Sequence, residues 1–184
     1  MVSVLTENWT MTDPRDIRGL VRMAQEAEDA GFDMVMVSDH VVLGPSAGSS
    51  GRMANPRDYA MPGNQDPFTA WPSNIVLLSA IAAATTRIRV GAIALIAPLR
   101  NPLLLAHDLA TLDLLSEGRL VIQPTVSWHK DEYDALGVPF GKRGRILDEQ
   151  LRIWQQVWAR SPVTFAGEYF TFEDVYLEPK PYRP

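Results

Sequence analysis

The sequence contains no cysteine. Disulfide bonds, thiolate nucleophiles and cysteine-ligated metals are therefore excluded as devices of this chain. It has no dense run of lysine or arginine, and its formal net charge is −5, which argues against nucleic acid as the main partner. No basic segment followed by an apolar core opens the chain, so no signal peptide is expected. The most apolar helical stretch, Ile75 to Ala84, is alanine-rich and too short to span a bilayer. No membrane partner is expected, and the cytoplasm is the default location. Several motifs are absent too. No G-x-G-x-x-G opens a helix after the first strand, which disfavours a dinucleotide-binding Rossmann domain, and neither a P-loop nor a G-x-S-x-G nucleophile elbow is found.

What is present is an ordinary globular composition. The 184 residues are 46% hydrophobic and 21% charged, enough apolar material for one sizeable core and a single domain over residues 1–184. Val2 to Leu5 reads as a first strand. Asp13 and Pro14 then have the cap-plus-proline form of a helix start, and Ile17, Leu20, Val21, Ala24 and Ala27 recur at helical spacing up to a stop at Gly31. A second helix is expected from Ser73 to about Thr85, with Ile75, Leu78, Ile81 and Ala82 on one face. Arg87 to Leu95 reads as a third strand whose two leading arginines are solvated. Asn101 and Pro102 repeat the cap-plus-proline device, opening a helix with Leu105, Leu109 and Leu112 inward that ends near Gly118. Arg119 to Val126 is a fourth strand, and Lys142 to Ala159 a further helix with Leu147, Leu151, Trp154 and Trp158 inward. Val163 to Phe165 and Tyr169 to Phe172 flank Ala166, Gly167 and Glu168 as a hairpin. Strands alternating with helices imply a parallel sheet with right-handed crossovers.

The most informative stretch is Phe32 to His40, FDMVMVSDH. Its apolar run Met34 to Val37 suits a parallel strand covered on both faces, and Ser38, Asp39 and His40 end it. Titratable groups at the carboxyl end of a parallel strand stand where α/β proteins place their chemistry, although a strand-end Asp can also serve only the following turn. Val41 to Trp71 is rich in Gly, Ser, Pro and Asn without a sustained apolar period. So long an irregular stretch reads as a partly mobile lid over the same face.

Four groups of residues carry a family resemblance. They are Ala27 to Asp33 (AEDAGFD), leading to Val37 to His40 (VSDH); Ala83 to Gly91 (AATTRIRVG), continuing to Arg100 to Pro102 (RNP); Ala110 to Arg119 (ATLDLLSEGR); and Trp128 to Tyr133 (WHKDEY), with Leu136 to Phe140 (LGVPF) and Arg143 after it. In this order and spacing they resemble the luciferase-like superfamily of flavin- and deazaflavin-dependent oxidoreductases, most closely the branch that uses coenzyme F420. The resemblance implies an α/β fold, the (β/α)8 TIM barrel of roughly 250 residues or more, of which this chain carries about the first four β/α units plus a short hairpin. It also implies an N-terminal half-barrel that acts as a homo-oligomer or with a complementing C-terminal half.

The resemblance assigns roles residue by residue. Asp39 matches an acid that hydrogen-bonds the cofactor, and His40 a catalytic proton donor. Ile93 and Ala94 match a bulge with a non-proline cis peptide behind the ring, and Ile96, Thr125 and Asp131 match cofactor-side positions. Trp9, Trp128 and His129 are expected to line the substrate pocket. His107 is expected to be structural. The fourth strand departs from the family: Gln123 to Ser127 (QPTVS) replaces a glycine-rich run, and Pro124 should break or bulge the strand. Trp128 stands where some members carry a catalytic glutamate, which argues against sugar oxidation. The implied function is hydride transfer between F420 and a small organic substrate. The alternatives are an FMN-dependent monooxygenase and a non-catalytic half-barrel whose open strand edges drive assembly. A more distant alternative is a zinc site made by Asp39, His40, His129 and Asp131; the expectation is that no metal is bound.

Overall fold

A computed structural model describes residues 3–5, 12–47 and 67–182, the first three by their backbone alone. The elements run β1 (Ser3–Leu5), α1 (Ile17–Asp29), β2 (Met34–Val37), α2 (Asn74–Ala84), β3 (Arg89–Ile96), α3 (Pro102–Leu115), β4 (Leu120–Thr125), α4 (Lys130–Ala135), α5 (Arg143–Ala159), β5 (Val163–Ala166) and β6 (Thr171–Val175). β1 to β4 form one parallel sheet in sequence order, and β5 pairs antiparallel with β6.

The strands alternate between two faces. Val35, Val37, Val90, Ala92 and Leu95 turn toward the helices and join one apolar cluster with Leu20 and Ala24 of α1, Leu78 and Ile81 of α2, Leu105 and Leu109 of α3, and Ile153, Trp154 and Val157 of α5. On the other face Met36 and Ile93 are half-buried and Gln123 is exposed. This is the curvature-side face that a closed barrel would make its interior.

Local chemistry sets the helix ends. α3 begins as expected: Asn101 Oδ1 accepts from the backbone N–H groups of Leu103 (2.9 Å) and Leu104 (3.3 Å), with Pro102 in the first turn. α1 begins later than the sequence suggests. Asp13 takes up the turn instead, accepting from Arg15 N at 2.9 Å, and Asp16 is the cap, accepting from Gly19 N at 2.8 Å. Ile17 is consequently outside the buried stripe. Gly31 ends the helix as expected, at φ +81°. Ser73 occupies the cap position of α2, but its hydroxyl makes no capping bond.

Two further expectations are corrected by polar residues that do structural work. The buried residues of α5 are Ile146, Glu149, Gln150, Ile153, Trp154 and Val157, while Leu151 is 36% exposed. Gln150 is buried because its amide donates to Ala97 O (3.1 Å) and Arg100 O (2.8 Å). Trp154 and Trp158 keep their expected inward side and donate their indole N–H groups to Pro102 O and Ala106 O. The second hairpin strand starts at Thr171 rather than Tyr169, because the N–H groups of Glu168, Tyr169 and Phe170 all donate to the Glu149 carboxylate and are unavailable to a ladder.

Candidate active site

The carboxyl ends of β2, β3 and β4 meet around a cavity of about 410 Å³. Seven of the residues singled out in the sequence line it: Asp39, His40, Ile93, Ala94, Ile96, Thr125 and Trp128. Met36 and Trp71 complete much of the wall. The peptide bond between Ile93 and Ala94 is cis, as expected. The register between β3 and β4 shifts there: Ile93 faces Gln123, and the next pair is Leu95 with Pro124. The irregularity therefore falls on β3 at Ala94. Of the break or bulge expected at Pro124, the break is absent, since β4 runs through it, and the bulge lies opposite it on β3.

Asp39 is held by chain partners. Arg100 grips it bidentately, Nη1 to Oδ2 at 2.6 Å and Nη2 to Oδ1 at 2.8 Å, and Ile96 N donates to Oδ2 at 2.8 Å. The Asp39 side chain is only 1% exposed. Its observed work is to tie the end of β2 to the end of β3. The sequence reading missed Arg100 in this role, although the RNP fragment contains it.

His40 is also buried, and its Nδ1 lies 3.1 Å from Glu132 Oε2. Trp71 meets the imidazole edge-on at 4.7 Å between ring centroids, and Trp128 does so at 5.9 Å. Glu132 is fully buried, and its Oε1 accepts from Val41 N (2.5 Å) and Val42 N (3.3 Å). Glu132 was not singled out in the sequence. Its signal was weak: an acid in the first turn of a short helix, here beside Asp131, usually serves only the helix dipole.

His129 and Asp131 stand apart from the cavity wall. Ser127, at φ +57°, turns the chain so that Trp128 lines the cavity while His129 is sealed behind it with no exposed surface. His129 Nε2 accepts from Gly44 N at 2.9 Å, and Asp131 Oδ2 accepts from Ser46 N at 2.7 Å. The Ser46 backbone N–H holds the Asp131 carboxyl below its ordinary value. Both residues therefore fasten the segment that follows β2. Trp9 lies outside the described residues, as does the middle of the expected lid; of that stretch, residues 41–47 and 67–71 are described.

The four residues of the zinc alternative do not converge on one point. They are spent separately on Arg100, Glu132, Gly44 N and Ser46 N. No group of three or more His, Cys, Asp or Glu among the described residues could hold a metal. Tyr133 supports the site from behind: it donates to Val126 O, and burial pushes its phenol well above the ordinary value. Among the described residues no helix is long and apolar enough to cross a membrane.

A second concavity of about 380 Å³ opens beside Arg119, Leu120 and Trp158, at the opposite ends of the strands. Its Arg119 guanidinium is occupied by the carbonyls of Ala82, Thr85 and Ile88, so it offers no comparable chemistry.

An uncharacterized protein of Mycobacterium tuberculosis is 31% identical over 163 residues, which is 88% of this chain and 56% of that protein. The chain thus spans about half the length of this curated relative. Among solved structures, the FMN complex of the oxygenating constituent of 3,6-diketocamphane monooxygenase from Pseudomonas putida superposes with a TM-score of 0.75 at 16% identity, covering 100% of this chain and 48% of the other. An F420-dependent secondary alcohol dehydrogenase bound to an F420-acetone adduct superposes with a TM-score of 0.72 at 23% identity, covering 98% and 49%. These likenesses give the fold: a parallel α/β sheet that is part of a luciferase-like TIM barrel. The family model for luciferase-like monooxygenases matches residues 1–184, and the chain belongs to that family.

Proposed function

We propose that this chain carries the ring-binding and proton-handling part of an oxidoreductase site, in which hydride passes between coenzyme F420 and a small organic substrate. The observation that carries the reading is the placement of buried His40 on the wall of a mainly apolar and aromatic cavity, alongside the β3 bulge at Ala94. The fit of a flat conjugated ring is supported by that lining. Ile93 and Ile96 offer apolar packing, Ala94 adds little bulk at the bulge, and Trp71 and Trp128 add aromatic walls. The bound ring supplies the hydride donor or acceptor, which is cofactor chemistry. The chain's own residues do the rest. His40 gives a proton to the substrate oxygen or takes one from it, a role suited to imidazole at neutral pH. Asp39 and Arg100 hold the strand ends that shape the cavity, and Thr125 offers a hydroxyl at the mouth of β4.

The FMN found in one structural neighbour favours a second reading, FMN-dependent monooxygenation. The outer strands β1 and β4 each pair on one side only among the described residues, which supports a homo-oligomer or a complementing C-terminal half as partner. The test is an equilibrium titration of the chain with F420 and, separately, FMN, read by cofactor and tryptophan fluorescence. Saturable binding of F420, weakened little by His40→Ala while turnover is lost, is the expected result. Preference for FMN moves the reading to monooxygenation, and binding of neither refutes it for this chain.

A further inference from the structure

Glu132 is a fully buried acid beside the cavity, and the proposed reaction gives it no task. Its two oxygens have different partners. Oε1 receives the backbone N–H groups of Val41 and Val42, whereas Oε2 faces His40 Nδ1 at 3.1 Å. A carboxylate only accepts, so the proton between Oε2 and the ring belongs to Nδ1. The imidazole is also confined laterally, with Trp71 and Trp128 both edge-on to it. A ring flip would replace the Nδ1–H donor with a carbon and leave a buried carboxylate oxygen short of a partner, which is costly.

The geometry points to Glu132 as the positioning residue that locks neutral His40 in its Nδ1–H tautomer and leaves Nε2 as the proton-accepting nitrogen. This deepens the role given to His40 and rests on it. It separates two tasks within one side chain: Oε1 anchors the segment after β2, and Oε2 sets the chemistry of the ring. A purely structural Glu132 would need only the first.

The division can be tested with one isosteric change. In Glu132→Gln the amide oxygen still accepts from Val41 and Val42, but the amide nitrogen replaces Oε2 with a donor. His40 Nδ1 must then accept, and the proton moves to Nε2. The readout is the pair of ring ¹⁵N signals of His40 in the chain labelled with both ¹⁵N-histidine and ¹⁵N-valine, at about pH 8.5, above the ordinary imidazole value. Disappearance of the pair in His40→Gln assigns it. The expected result is a pyrrole-type Nδ1 and pyridine-type Nε2 in the native chain, reversed in Glu132→Gln, with the Val41 and Val42 amide signals in place. A protonated Nε2 in the native chain overturns the inference by itself, even if the variant does not fold. An unchanged tautomer in a folded Glu132→Gln chain overturns it as well. The measurement needs no cofactor. Failure of F420 to bind would therefore sink the proposed function while leaving the tautomer result to stand or fall alone.

Discussion

Replacing Asp39 with alanine should cost about 3 kcal/mol of stability, before any effect on a ligand is considered. The side chain is 1% exposed, and three donors converge on it, two from Arg100 and one from Ile96 N. Breaking a buried pair by removing one partner typically costs about 3–5 kcal/mol, because the other charge is left uncompensated. Arg100 is 21% exposed and keeps a bond to Ile96 O at 3.1 Å, so its charge is partly relieved by water and by that carbonyl. This places the cost at the lower end of the range. Asp39→Asn keeps one oxygen, which in the Oδ2 position can still accept from Ile96 N and Arg100 Nη1 while the bond from Nη2 is lost, and should lose roughly half as much. The assay is urea unfolding followed by circular dichroism. The midpoint should fall with the slope unchanged, and the melting temperature should drop by about 6–12 °C in the alanine variant. Arg100→Ala and the double variant complete a cycle whose coupling should exceed about 1 kcal/mol. An Asp39→Ala chain as stable as the parent, or a coupling near zero, would refute the claim that this pair ties β2 to β3.

Two other perturbations test the packing and the buried acids. Ile153→Ala should lose about 2–5 kcal/mol in urea unfolding because Ile153 is fully buried in the main cluster, whereas Leu151→Ala, at 36% exposure, should change stability by about 0.5 kcal/mol or less; equal losses would contradict the observed helix face. Glu149 and Glu28 are each raised by burial but lowered further by three backbone N–H donors, with a net downward shift. Their folded values lie below the unfolded ones, so the stability they contribute is present above the ordinary carboxyl value and lost as pH falls through the lowered one. Glu149→Gln should flatten that acid limb in a series of urea midpoints between neutral and acid pH, and an unchanged limb would count against the linkage.

The course of the chain was legible because its signals are local. A continuous apolar run gave β2, and an asparagine-proline pair gave the start of α3, which the Asn101 bonds bear out. The start of α1 was not legible, since Asp13 and Asp16 offer the same cap chemistry three residues apart and only the tertiary path chooses between them. The inner face of α5 was misread for a related reason. Hydropathy assigns Gln150 to solvent, yet two carbonyls around the turn between β3 and α3 give its amide partners and admit it to the interior. A partner 50 residues away leaves no periodic trace in the sequence.

The same reasoning explains which site residues were found. Ile93, Ala94, Ile96, Thr125 and Trp128 sit at strand ends, where topology alone delivers them to one cavity. His129, Asp131 and Glu132 share a short segment after β4, and all three are acceptors facing backbone N–H groups of residues 41–46. A carboxylate or imidazole near a cavity suggests a ligand contact when only its type and position are known. Here those acceptors satisfy donors of an irregular segment that has no ladder of its own, a requirement every buried loop must meet somehow. The charged groups around this cavity are thus largely spent on holding its walls in register, and the surface left to a ligand is mainly apolar and aromatic, with the His40 imidazole and the small hydroxyl residues Ser38, Thr125 and Ser127 beside it. That arrangement suits a site whose redox chemistry comes from a bound ring and whose protein part has a single proton to place.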